Sequence, residues 1–238
     1  MSVTEALFAP LLAAGPGRPL ITHYDDADGS RVELSRATIA NWAAKTANWL
    51  RDEHDVEPGD RVAVLLPAHW QTAGVLLGAW WAGATVTDDP SGAKVAFVAP
   101  GGTAPGADVV AVASLHPMGL GLRGQELDGA VDFLDDVRVY GDDFTPYGPT
   151  PGDTPALGKS TVDDVVAEAR TRAEVLGIGL DTRVLSTVEW NQPDGLLNGL
   201  LAVLAGGGSL VQCSNVNADL LPARRISEKT TVELGGAA

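Results

Sequence analysis

Apolar and polar positions alternate along Leu20-Ile-Thr-His-Tyr24 and along Arg31-Val-Glu-Leu34, on either side of the turn-forming cluster Asp25-Asp-Ala-Asp-Gly-Ser30. Two short alternating runs around an Asp-Gly turn predict a β-hairpin. Ser35 then stands where an N-cap belongs, and Ile39, Trp42, Ala43, Thr46, Trp49 and Leu50 recur on one face at helical spacing, which predicts an amphipathic helix packed on a sheet. Glu57-Pro-Gly-Asp60 breaks the chain. Arg61–Leu66 reads as a buried strand ended by Pro67, Ala68–Gly83 as an apolar helix carrying Trp70, Leu77, Trp80 and Trp81, and Thr85–Thr87 as the next strand.

The alternation of strands and helices continues. Lys94–Val98 and Asp108–Ala113 are short apolar runs, Gln125–Asp136 is expected as a helix and Val137–Tyr140 as a strand. A break rich in Gly, Pro and Asp follows over 141–159, with Pro146, Pro149, Pro151 and Pro155. Beyond it the pattern predicts helix 161–176, strand 183–188, a Leu-rich helix 195–205, strand 209–212, helix 218–228 and strand 230–234. This order predicts an α/β fold of largely parallel sheets flanked by helices, with right-handed crossovers. One domain over 1–238 is expected. The 141–159 segment is either a site loop or the boundary between lobes 1–145 and 160–238.

Composition narrows the classes. Of the 238 residues 45% are hydrophobic and 20% charged, a globular balance. The single cysteine, Cys213, excludes an internal disulfide and a thiolate metal cluster. Sixteen basic against thirty-one acidic residues give a net charge of −15, which repels phosphate backbones and anionic membranes, so no nucleic-acid partner is expected. No basic residue precedes the apolar stretch of the N-terminus. The longest near-apolar run, Thr72–Val86, is fifteen residues and too short to span a bilayer. A cytoplasmic protein without a membrane association is expected.

Several segments invite specific chemistry. If Gly29 is the glycine of a calcium loop, Tyr24 falls at the first ligand position and Ser35 at the last. Neither is the carboxylate required, so the segment is a hairpin turn. Gly158-Lys159-Ser160 resembles the end of an ATPase P-loop, but five residues rather than four separate Gly152 from Gly158. A helix entry capped by Ser160 or Thr161 accounts for it, and such an N-terminus can hold an anion. Gly119-Leu-Gly-Leu-Arg-Gly124 satisfies the spacing of a dinucleotide-binding turn, with Asp142 downstream. Ser114–Met118 separates it from the preceding strand, where a dinucleotide site turns at once. His23, His54, His69 and His116 have no metal-ligand spacing, and the paired aspartates are expected to be solvated.

Pro58-Gly-Asp-Arg-Val-Ala-Val-Leu-Leu-Pro67, followed by Gly78-Ala-Trp-Trp-Ala-Gly-Ala84, resembles the opening of the adenylate-forming superfamily: acyl-CoA synthetases, nonribosomal-peptide adenylation domains and luciferases. Leu176-Gly-Ile-Gly-Leu-Asp-Thr-Arg-Val-Leu185 and Gly199-Leu-Leu-Ala-Val-Leu-Ala-Gly-Gly-Gly-Ser-Leu-Val211 resemble the stretch that follows that family's phosphate loop. The resemblance implies the front part of the family's large domain and ATP or AMP as the ligand. It places a phosphate or nucleotide site around Gly158, Lys159, Ser160 and Thr161. An acyl pocket would lie around Trp190, Asn191, Asp194 and Gly195, with Asn191 where the family often has His.

The departures set the functional expectation. The family's Ser-Gly-Thr-Thr-Gly-x-Pro-Lys-Gly loop is replaced here by Gly148-Pro-Thr-Pro-Gly-Asp-Thr-Pro-Ala-Leu-Gly-Lys-Ser-Thr161. Its prolines lack N–H donors, and Asp153 opposes a phosphate. The sequence also ends ahead of the family's adenine motif, its ribose-binding Asp and its lid lysine. A shortened, non-catalytic relative with a vestigial nucleotide or acyl pocket is therefore expected, with no catalytic residue and no metal. Three alternatives stand beside it. One is an interaction protein, a homo-oligomer or protein partner covering the sheet face that the absent half would cover. The second is an acid–CoA ligase completed by another chain. The third is a dinucleotide-binding enzyme using Gly119–Gly124.

Overall fold

The computed structural model describes residues 1–235. Two short helices, α1 (Val3–Leu7) and α2 (Ala9–Ala14), lead into the antiparallel hairpin β1 (Pro19–Asp25) and β2 (Ser30–Ser35). Gly29 turns that hairpin at φ +73°, a conformation that only glycine adopts freely. The Ser35 hydroxyl accepts the N–H of Thr38 at 3.1 Å and caps α3 (Arg36–His54), as its sequence predicts. Then follow β3 (Arg61–Leu65), α4 (Trp70–Trp81), β4 (Thr85–Thr87), β5 (Val95–Val98), β6 (Val109–Val112), β7 (Val131–Asp132) and α5 (Phe133–Val137). The remainder comprises β8 (Pro155–Leu157), β9 (Ser160–Thr161), α6 (Val162–Val175) and β10 (Arg183–Ser186). Next is α7 (Asp194–Leu196), which continues through a π-helical turn, Leu197–Leu201, into α8 (Ala202–Gly206). The order closes with β11 (Ser209–Ser214), a 3₁₀ turn (Ala218–Leu220), α9 (Leu221–Glu228) and β12 (Val232–Leu234).

These strands form two sheets, ordered β12-β10-β11-β1-β2 and β7-β6-β5-β3-β4-β8-β9. All pairings are parallel except the hairpins β1–β2 and β8–β9. The expected α/β class, largely parallel sheets flanked by helices, is the architecture observed. Each sheet takes strands from both sides of the 141–159 segment; β1 runs parallel to β11, with Ile21 opposite Leu210.

The period-two pattern explains why the seven-stranded sheet has two apolar faces. Val62, Val64, Val95, Phe97 and Ala111 join the main core with Trp49 and Trp70 of α3 and α4. Ala63, Leu65, Ala96, Val98, Val110 and Val112 turn the other way, onto Ala104 and Leu122 of the connecting loops. Trp49 is fully buried, edge-on to Phe133 at 5.4 Å, and Trp42 tilts onto Trp70 at 5.5 Å, so both serve packing. The helices α3 and α4 approach closely because α4 presents Gly78. A Cβ there would lie 2.5 Å from Cβ of Thr46.

Two elements differ from expectation. The Gln125–Asp136 helix is replaced by a turn, β7 and the single-turn α5. Asp128 and Gly129 take φ of +47° and +88°, which ends any helix there. The Asp132 carboxylate then caps α5 through the N–H of Leu134 at 3.1 Å. Val137–Tyr140 forms no strand; Val137 closes α5, Tyr140 N–H turns back to Val137 O, and Lys45 Nζ binds the carbonyls of Arg138 and Tyr140. Within 141–159, the expected break contains the strand β8.

Candidate functional site

The segment where the family resemblance places its phosphate loop is a tight hairpin. Leu157 pairs with Ser160, so Gly158 and Lys159 form a two-residue turn, with Gly158 at φ +57°. Both are exposed. The Gly158 N–H donates to Val86 O of β4 at 2.8 Å and stitches the hairpin onto the sheet. Thr161 is the N-cap of α6 in a reciprocal box: its hydroxyl accepts the Asp164 N–H at 3.2 Å, and Asp164 Oδ2 accepts the Thr161 N–H at 3.0 Å. Val162 N–H binds Thr154 O at 2.9 Å and Asp163 N–H binds Gly152 O at 3.0 Å.

Every N–H from Thr161 to Asp164 therefore has an internal acceptor. The first turn also carries two carboxylates, and Asp163 lies so close to Gly152 that a Cβ there would stand 2.3 Å from its Oδ2. Anion binding at a helix N-terminus needs free, converging N–H groups and no competing negative charge. The residues present do not fit a triphosphate.

The second predicted group, Trp190–Gly195, runs from the loop after β10 into α7, which holds Asp194 and Gly195. Trp190 is buried, and its indole lies against Gly199 in the π-helical turn, where a Cβ would stand 2.7 Å from Nε1. Asn191 and Asp194 are exposed. Gly195 is needed because a Cβ would lie 2.2 Å from Glu189 O. A cleft of about 500 Å³ between α6 and the start of α7 is lined by Ser160 of the first group and Asp194 of the second. Arg172 spans the cleft. Its Nε donates to Glu168 Oε1 at 2.6 Å, Nη2 to Asp194 Oδ1 at 2.8 Å and Nη1 to Asn198 Oδ1 at 2.9 Å. Those two carboxylates raise its pKa. With Asp164 also on the wall, the cleft holds more negative than positive charge. Gly158, Lys159, Trp190 and Asn191 are outside it.

A second polar cluster lies between the two sheets, at the C-terminal ends of β1 and β11 and the start of α4. His23 Nε2 is 3.0 Å from Ser214 Oγ, which donates to Ala68 O at 3.0 Å. His69 caps α4, its Nδ1 accepting the Gln71 N–H at 3.1 Å. Burial pushes His23 down to about 4 and His69 down to about 3, so both rings are neutral at pH 7. Nearby, Gln212 Oε1 and Trp190 Nε1 are buried without partners. The sequence carries one signal for this cluster, the inward phase of His23 beside Ile21; the juxtaposition with His69 depends on how the sheets dock.

The Gly119–Gly124 segment lacks the setting of a dinucleotide turn. No helix begins after Gly124, and the next element is β7. Gly121 instead lies against the Asp135 and Asp132 carboxylates, and Gly119 against Trp70 and Trp42. Among the described residues no three His, Cys, Asp or Glu side chains converge as a metal site, and no helix is long and apolar enough to cross a membrane.

The fold matches solved acyl-CoA synthetases. It superposes on a Brucella canis acyl-CoA synthetase with a TM-score of 0.79 at 18% identity, covering 98% of this chain and 47% of that one. The anthranilate CoA ligase AuaEII in complex with anthranoyl-AMP matches at 0.77 and 14% identity, and a Mycobacterium tuberculosis fatty acyl CoA synthetase at 0.71 and 16%. The chain spans about half the length of each of these structures. Its fold is that of part of these solved structures, as the sequence resemblance implies. No family model matches it. A TIGR03089 family protein of Mycobacterium tuberculosis (strain ATCC 25618 / H37Rv) is 45% identical over 239 residues, 97% of each chain. The chain belongs to the TIGR03089 family.

Proposed function

We propose that the chain is a non-catalytic, binding relative of the adenylate-forming enzymes. Its remnant cleft between the β8–β9 hairpin and Asp194 does not take up ATP. One observation carries this reading: the hairpin turn and capping box at Gly158–Asp164 leave no free N–H cradle where a triphosphate would be held. Adenylation needs donors and a cation aimed at a phosphorus atom that gains negative charge. The cation of the cleft, Arg172, is already matched by Glu168 and Asp194. The fold alone confers no reaction.

Calorimetric titration with Mg-ATP, together with pyrophosphate exchange over a panel of carboxylic acids, tests the proposal. No saturable heat and no exchange are expected. Saturable binding lost in Lys159→Ala or Trp190→Ala would overturn it and reinstate a ligase completed by another chain.

A further inference from the structure

The segment after α5 crosses the C-terminal half of α3 as a strap, held by three side chains on one face of that helix. Lys45 reaches the carbonyl of Tyr140, Asn48 Nδ2 donates to Gly141 O at 3.3 Å and Asp143 O at 2.9 Å, and Arg51 Nη1 donates to Thr145 O at 2.9 Å. Beyond Thr145 the strap borders a cavity of about 360 Å³, within the range of small-molecule sites, and returns to the body at the buried Thr150, whose carbonyl accepts the Met1 ammonium. Val56, Pro58 and Ala82 line it with apolar surface, and Phe144 and Tyr147 add two aromatic rings. Tyr147 is 89% exposed. The Arg51 guanidinium lies 4.6 Å from its ring centroid and 4.7 Å from that of Phe144.

The charges around the cavity do not balance. Arg51 is neutralised by Asp52, through Nε at 2.6 Å and Nη2 at 3.1 Å. Lys94 is paired with Asp60 at 2.7 Å and also donates to the Asp55 carbonyl. The Met1 ammonium donates to Thr150 O on the cavity wall, so the carboxylates of Asp52, Asp55, Glu57 and Asp60 still outnumber the cations Arg51, Lys94 and Met1. Asp55 and Glu57 also line the cavity, and among the described residues neither carboxylate has an ion-pair partner. Apolar surface, the exposed Tyr147 ring beside the buried Phe144, and two carboxylates without an ion pair together favour one ligand chemistry and oppose nucleotides and acyl carboxylates.

We propose that this cavity binds an organic ammonium ion with an apolar body. The body packs among Tyr147, Phe144 and the Val56–Pro58–Ala82 surface, and the ammonium sits against Asp55 and Glu57. The site is separate from the α6 cleft and does not depend on the reading of that cleft.

The test is an amide-shift titration of the full chain by NMR with 4-phenylbutylammonium, against its alcohol and carboxylate counterparts, 4-phenylbutanol and 4-phenylbutyrate. Saturable shifts are expected at the amides of Asp55, Val56, Glu57, Phe144, Thr145, Tyr147, Gly148 and Thr150, with affinity falling from ammonium to alcohol to carboxylate. Tyr147→Ala should weaken the ammonium by roughly fivefold. The double variant Asp55→Asn, Glu57→Gln should weaken it by a similar factor, roughly fivefold, and remove its advantage over the alcohol. Both variants change exposed side chains and should melt as the parent does. No saturable shift at those amides, carboxylate binding as strong as ammonium binding, or unchanged affinity in the double variant would each overturn the proposal.

Discussion

His23 and His69 meet edge to face with ring centroids 4.3 Å apart, buried where the two sheets dock. Their folded pKa values, about 4 and about 3, lie below the unfolded value of 6.5. The Asp25 and Asp28 carboxylates favour the charged form of His23, but burial outweighs them. Between these limits the unfolded chain binds more protons than the folded one, so stability is full above pH 6.5 and falls as pH drops toward 4. The loss from one such histidine is on the order of 3 kcal/mol. His69→Asn keeps an acceptor for the Gln71 N–H while removing the titration. Denaturant melts at several pH values should show a flatter slope over that window in the variant. An unchanged slope would separate the histidines from the acid response.

Glu228 gives a second acid transition, lower on the pH scale. Burial raises its carboxyl, but hydrogen bonds from Arg31, Tyr24 and Arg183 outweigh that and bring it down to about 2. Its contribution is present above pH 4.5 and is lost as pH falls toward 2. Its side chain is only 7% exposed, so Glu228→Gln leaves two guanidinium groups facing a neutral amide. A destabilisation of about 3 kcal/mol at pH 7 is expected. The step between pH 6.5 and 4 should persist in this variant, which distinguishes it from His69→Asn.

Gly78 tests the packing of α3 on α4. Alanine would gain about 1 kcal/mol of helix propensity. The new methyl, however, would fall 2.5 Å from Thr46 Cβ and 2.7 Å from Ala43 O, both on a helix that cannot yield locally. Gly78→Ala should lower stability by about 1–3 kcal/mol. Gly17→Ala, whose Cβ meets nothing within 4 Å, is the control and should stay within about 0.5 kcal/mol of the parent.

The elements legible in the sequence are those fixed by local periodicity. Ser35 and the apolar face from Ile39 to Leu50 define α3, and the Asp-Gly turn defines the β1–β2 hairpin, because capping and turn chemistry act over a few residues. The Gln125–Asp136 helix misleads for the same reason: Leu127, Val131 and Leu134 have helical spacing, yet positive φ at Asp128 and Gly129 divides them. The β8–β9 hairpin is hidden by size, since Leu157 and Ser160 pair across strands of three and two residues. The sites are less legible still. Ser160 and Asp194 share a cleft, and His23 meets His69, only because distant strands assemble. Neither pairing leaves a trace in local pattern.

The capping box of α6 decides between an adapted helix start and a concealed anion site. Thr161→Ala removes the hydroxyl that accepts Asp164 N–H at 3.2 Å, and should cost about 1 kcal/mol in a denaturant melt. The loss frees one N–H at a helix N-terminus, but Asp163 and Asp164 remain beside it. Thr161→Ala should therefore bind Mg-ATP no better than the parent. Asp163→Asn with Asp164→Asn removes the opposing charge as well, while Val162 and Asp163 N–H groups stay bound to the carbonyls of Thr154 and Gly152. If those carbonyl bonds are what close the site, calorimetry of the double variant should still give no saturable heat. Saturable heat in the double variant alone would assign the exclusion to charge, and would make the hairpin a latent phosphate site held shut by two aspartates.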